Sequence, residues 1–171
     1  MIKSVGIFCG SSKGKNPIYE IEAIKYTKLL VENNIKIVYG GGNIGIMGVI
    51  SKTALENNGV IIGVAPGFIF EKEVVNSNLT ELIVTRDMLD RKEVLMQRSD
   101  AFVILPGGIG TLDEFFEVLT ALQLETMIKP IAILNTNNYY NPLIELLKHM
   151  VEEKFFRKEH FESIIIENEV E

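Results

Sequence analysis

Short apolar runs recur along this chain, each separated from the next by a longer stretch of helical period. That alternation builds βαβ units, because parallel neighbours need a crossover long enough to hold a helix. The runs predict strands at about 3–8, 36–39, 60–65, 81–85, 101–105 and 130–134. Between them, helices are expected at about 17–33, 44–57, 87–98, 111–125 and 140–153. Several openings carry helix-start signals: Pro17 after Asn16, Asp87 before Met88, and Asn141-Pro142. Ala101 to Leu105 and Val60 to Val64 offer apolar side chains to both faces, so helices must cover both. The expected fold class is α/β, a Rossmann-like, doubly wound, largely parallel sheet with helices on both faces. With 171 residues and no repeat or linker, residues 1–171 are expected to form one domain. Residues 67–79 lack periodicity and suit a loop beside a site. After Lys154 the signal weakens, and Ile164-Ile165-Ile166 fits a last short strand or a docking tail.

Composition narrows the partners. A formal net charge of −6 argues against a surface that attracts nucleic acid or anionic membrane, so any anion must meet a local cluster of donors. Cys9 is the only cysteine, which rules out an intrachain disulfide and suits a reducing compartment. The first residues enter a strand pattern without a signal-peptide layout, and the longest apolar runs are too short to span a bilayer. A cytoplasmic protein is expected.

In open α/β sheets ligands bind beyond the carboxyl ends of the strands, so the turns there matter most. The first strand leads into Cys9-Gly10-Ser11-Ser12, and the second into Gly40-Gly41-Gly42-Asn43-Ile44-Gly45. The fifth leads into Pro106-Gly107-Gly108-Ile109-Gly110-Thr111. A helix N-terminus offers free N–H groups and a positive dipole end, and glycine lets the backbone close around an anion. The competing explanation is a tight turn that needs φ > 0. Two such turns in one sheet favour an anion site. Gly40, Gly42 and Gly45 also fit G-x-G-x-x-G, but the next strand ends Gly63-Val64-Ala65-Pro66, without the carboxylate a dinucleotide ribose requires. No triphosphate loop is present either. A mononucleotide fits better than NAD or ATP.

Glu114 follows Thr111 by three residues, which places it near the proposed anion. It serves either as a capping or dipole-complementing carboxylate or as a functional one. A helix N-terminus lowers a carboxylate's pKa, so an ionised Glu114 is expected, suited to stabilising an oxocarbenium-like centre or activating water. Arg86, Arg91, Lys92 and Arg98 form the densest basic stretch of the chain. That stretch is either a solvated helix face or the charge partner of an anionic nucleotide. His149 and His160 lack metal-ligand spacing, and Cys9 has no histidine placed to activate it. Met47, Met88, Met96 and Met127 suit core or pocket wall.

The run Pro106-Gly107-Gly108-Ile109-Gly110-Thr111-Leu112-Asp113-Glu114 carries the pattern P-G-G-x-G-T-x-x-E, and with it the chain resembles the Lonely Guy (LOG) family of cytokinin riboside 5′-monophosphate phosphoribohydrolases. Phe8 to Ser12 with Gly14, Pro17 and Tyr19, Val38 to Gly42 with Gly45, Met47 and Gly48, and Asp87-Met88 with Arg91-Lys92 match in order. Gln123-Leu124 and Lys129-Pro130 extend the match, which covers roughly residues 3–150. The resemblance implies hydrolysis of the N-glycosidic bond of a nucleoside 5′-monophosphate, AMP or its N6-prenylated form. It assigns Arg91 and Glu114 as the catalytic pair. It gives Glu73, Lys92, Gly108, Ile109, Gly110, Thr111, Leu112, Asp113 and Thr120 to substrate binding; with them we expect Gly10 and Ser11, Gly41 and Gly42, and Gly107 from the turns. It implies a homodimer or an assembly of dimers, with no metal or organic cofactor. The family's former label, lysine decarboxylase, would need a lysine carrying pyridoxal phosphate, and nothing marks one. Many plant-type members carry Trp after the threonine and Gly after Gln-Leu, where this chain has Ala121 and Glu125. Against the enzyme stand a non-catalytic mononucleotide sensor or carrier and, more distantly, an NAD oxidoreductase.

Overall fold

The computed structural model describes residues 1–69 and 78–170 of the chain. Its strands are β1 (Ser4–Phe8), β2 (Lys36–Tyr39), β3 (Ile61–Pro66), β4 (Glu81–Thr85), β5 (Ala101–Ile104), β6 (Ile131–Leu134) and β7 (Ile164–Glu167). The helices are α1 (Ile18–Glu32), α2 (Gly45–Glu56), α3 (Met88–Arg98), α4 (Ile109–Gln123), α5 (Asn141–Glu152) and α6 (Lys158–Glu162). The strands form one sheet in the order β4-β3-β2-β1-β5-β6-β7, with every described pair parallel. The Ile164 run is therefore a strand and not a docking tail. Helix α6 was not expected; five residues are too few for a helical period to show against the polar background.

Side-chain alternation along β1 divides the core. Val5, Ile7 and Cys9 join the cluster under α1 and α2, with Ile37, Tyr39 and Ile46. Phe8 points the other way, into a cluster with Leu95 of α3, Phe115 of α4 and Ile144 of α5. Helices thus cover both faces, as the two-sided apolar strands require. The chain winds outward from β1 to β4, then returns to place β5 against the free side of β1. Strand order reverses between β1 and β5, so a crevice opens beyond their carboxyl ends. Their ladder pairs Phe8 with Ile104 and continues past the strands, where the Gly10 N–H donates to the Pro106 carbonyl at 3.1 Å.

Candidate active site

The crevice at this reversal is a cavity of about 260 Å³. Its wall holds Ser11, Arg91, Asp113 and Glu114, together with Gly108 to Thr111 of the turn after β5. Asp87 caps α3 by accepting from the Asp90 N–H at 2.9 Å, which fixes the helix that carries Arg91. The Arg91 guanidinium then reaches over the sheet. Its Nε donates to the Val64 carbonyl at 3.1 Å, and Nη1 lies 2.8 Å from Glu114 Oε1. Both side chains are 11% exposed, so this is a nearly dry ion pair at the edge of a cavity.

Helix α4 starts at Ile109, two residues earlier than expected, with Gly108 as its N-cap. Glu114 consequently stands in the second turn, with no acidic residue in the first turn and no side-chain cap. The capping alternative falls. The expected lowering of its pKa falls as well: burial pushes the Glu114 carboxyl above its ordinary value, and Arg91 opposes that rise without cancelling it. The N–H groups of Ile109, Gly110 and Thr111 have no acceptor among the described residues, as a helix start leaves them. A side-chain carbon at Gly108 or Gly110 would meet nothing within 4 Å. Gly107 differs, since a Cβ there would collide with Thr111 and come within 2.8 Å of the Gly10 nitrogen. Gly107 closes the turn, and Gly108 and Gly110 leave its rim open to a ligand.

The second glycine turn is built differently from the turn after β5. Two of the first N–H groups of α2 are already taken: Ile46 donates to the Gly10 carbonyl at 3.0 Å and Met47 to the same carbonyl at 3.3 Å. Gly45, at φ 62°, lies so close to Ser11 that a side chain would strike its backbone. Gly41, at φ 80°, abuts Ala65 and, like Gly42, is buried without lining the cavity. Gly40 does line it, because the Arg91 guanidinium occupies the space where a Cβ would stand. Gly10 contributes through its backbone, tying β1 to the turn after β5 and to α2.

The remaining expected residues are placed as follows. Lys92 pairs with Asp113 at 2.9 Å and Glu117 at 3.4 Å, which raises its pKa and holds its charge along α4 rather than in the cavity. Arg86 pairs with Asp90 and Arg98 with Glu81, so of the basic stretch only Arg91 lines the cavity. Leu112 packs into the core under α4. Thr120 is exposed two turns beyond Asp113 and lies outside the cavity. Glu73 lies outside the described residues. Sequence reasoning passed over Ile7 and treated Cys9 as buried filler; both line the cavity, as do Met47 and Met88. Burial and the Glu114 charge raise the Cys9 pKa, so it stays a neutral thiol. No lysine side chain lines the cavity among the described residues.

Residues 47–171 match the family model described as "possible lysine decarboxylase". A cytokinin riboside 5′-monophosphate phosphoribohydrolase of Rhodococcoides fascians is 38% identical over 170 residues, 99% of this chain and 86% of that one. One from Arabidopsis thaliana is 40% identical over 153 residues, 90% of this chain and 70% of that one. The chain spans less than two thirds of two longer rice relatives, 64% and 61% of their lengths. Among solved structures, the molybdenum cofactor binding protein of Rippkaea orientalis superposes with a TM-score of 0.70 at 20% identity, over 99% of this chain and 91% of that one. The molybdenum cofactor carrier protein of Chlamydomonas reinhardtii gives 0.70 at 21%, with the same coverage. At that identity the likeness speaks for the fold alone. The matched residues and the level of identity to these phosphoribohydrolases show that the chain belongs to the Lonely Guy family.

Proposed function

We propose that this chain hydrolyses the N-glycosidic bond of a nucleoside 5′-monophosphate, AMP or N6-prenylated AMP, to free base and ribose 5-phosphate. The observation that carries the proposal is the Arg91–Glu114 pair, 2.8 Å apart, on the wall of the cavity formed in part by the open start of α4. The free N–H groups of Ile109, Gly110 and Thr111 take the 5′-phosphate. Glu114 faces the sugar. As the bond from C1′ to the base nitrogen breaks, its electron pair leaves with the base and positive charge builds on C1′ and O4′. The Glu114 carboxylate stabilises that charge, and its raised pKa makes it a better acceptor for a proton of the attacking water. The hydroxyl joins C1′, and the proton that Glu114 took from the water passes on to the base nitrogen, which returns the carboxylate to its starting state. Arg91 balances the Glu114 charge while substrate is absent and engages the nucleotide when it is bound. Met47 and Met88, flexible and polarisable, form the apolar wall for the base.

The working unit is a homodimer or an assembly of dimers in the cytoplasm. Exposed Thr120, outside the single chain's cavity, suits a position at the subunit boundary. Incubating the protein with AMP and with N6-isopentenyl-AMP, then separating the products by chromatography, tests the reading. Free base and ribose 5-phosphate should appear in equal amounts, and the ratio of the two rates gives the base preference. Tight binding of both nucleotides with no base released would instead mark a carrier or sensor.

A further inference from the structure

The phosphate site proposed above depends on how one peptide is turned. In the turn after β5, three successive carbonyls are each held by a donor. Leu105 accepts from the Tyr140 hydroxyl at 2.8 Å, Pro106 from the Gly10 N–H at 3.1 Å, and Gly107 from the Tyr139 hydroxyl at 2.6 Å. A trans peptide points its N–H opposite to its carbonyl. Tyr139 and Gly107 line a second, smaller cavity and not the larger one, whereas Gly108 lines both. Drawing the Gly107 carbonyl towards Tyr139 therefore turns the Gly108 N–H the other way, towards the larger cavity.

Sterics alone do not fix that peptide. It joins two glycines, and a flip carries Gly108 from φ −97° into the left-handed half, which glycine accepts freely. A flipped peptide would present a carbonyl oxygen to the anion in place of a donor. We propose that Tyr139 is a positioning residue whose hydroxyl locks the Gly107–Gly108 peptide with its N–H aimed at the phosphate. The inference rests on the phosphate reading of the α4 start. The ring is itself held in place, edge-on to Tyr19 at 5.7 Å and to Tyr140 at 4.8 Å.

Tyr140 supplies the control. Its hydroxyl donates to the Leu105 carbonyl, on a peptide that has no N–H to aim, and also meets the Gly107 backbone. It therefore holds the same turn without touching the Gly107 carbonyl that Tyr139 holds. The experiment titrates inorganic phosphate into ¹⁵N-labelled wild type, Tyr139→Phe and Tyr140→Phe, following the Gly108 amide resonance, the phosphate Kd and the Tm. In wild type the Gly108 resonance should move downfield on binding. Tyr139→Phe should bind phosphate about tenfold more weakly, the scale of one lost hydrogen bond, and lose the Gly108 shift. Its KM for AMP should rise more than its kcat falls. Tyr140→Phe should lower Tm yet keep the wild-type phosphate affinity. Unchanged affinity and an unchanged Gly108 shift in Tyr139→Phe would overturn the inference alone, as would equal weakening in both variants. A wild-type Gly108 amide indifferent to bound phosphate would likewise overturn the inference alone, whereas a wild type in which phosphate moves none of the Gly108, Ile109, Gly110 and Thr111 amides would overturn the phosphate reading and this inference together.

Discussion

Glu114 is caught between two opposing effects. Burial disfavours its charge, while the Arg91 guanidinium at 2.8 Å favours it, and burial prevails. The sign of the pH dependence follows. As pH falls, Glu114 gains a proton and the proposed reaction loses its anion, so kcat/KM should fall on the acid side with a midpoint above 4.5, the ordinary glutamate value. The same shift bears on stability: below 4.5 both states hold the proton, and as pH rises through the folded value the buried charge costs stability. Replacing Arg91 with Gln removes a lowering influence and should move the Glu114 midpoint further up, as read by the ¹³C resonance of its labelled carboxyl. A midpoint that stays in place would contradict this account of the pair. The sequence offered a glutamate three residues after a threonine. It could not show that the helix starts early enough to take Glu114 past the capping position, nor that Arg91 would reach it from another helix.

At the scale of elements, helix ends were partly legible. Helices α1, α2, α4 and α5 each end in a left-handed residue that returns N–H groups to the last turn: Asn34, Asn58, Glu125 and Lys154. The Asn pairs at 33–34 and 57–58 advertise such ends, since asparagine tolerates this conformation; Glu125 and Lys154 do not. At Glu125, φ is 56°, and its N–H donates to Leu122 while that of Thr126 donates to Ala121. The glycine that the family resemblance implies at this position suits the left-handed φ of this motif. Glu125→Gly should stabilise the chain by about 1 kcal/mol, measured as a higher urea midpoint at unchanged slope. A lower midpoint would mean that the Glu125 side chain contributes more than its backbone costs. The α2 turn shows the opposite limit. Glycine required for close approach to Ser11 and glycine required around an anion look alike in sequence, and only the neighbouring Gly10 carbonyl reveals that the Ile46 and Met47 donors of α2 are used.

For the whole molecule, the alternation of apolar runs was enough to imply the sheet, its covering helices and the importance of its strand ends. The return of the chain after β4 then places β5 beside β1 and sets the P-G-G-x-G-T turn at the reversal. What local sequence could not supply was convergence across distance: Gly40 making room for Arg91, and Tyr139 arriving from beyond β6 to hold Gly107. Leu89, Ile109 and Ile128 remain 75%, 83% and 81% exposed, three apolar side chains that the proposed dimer has reason to cover. The most direct test of the proposed hydrolysis compares adenine released from AMP by wild type and by Glu114→Gln, with AMP binding measured by calorimetry on both. Wild type should yield adenine and ribose 5-phosphate in equal amounts. The variant should bind AMP but turn it over at least about 100-fold more slowly. Near-wild-type turnover by Glu114→Gln, or AMP recovered intact from the wild-type protein that binds it, would contradict the account.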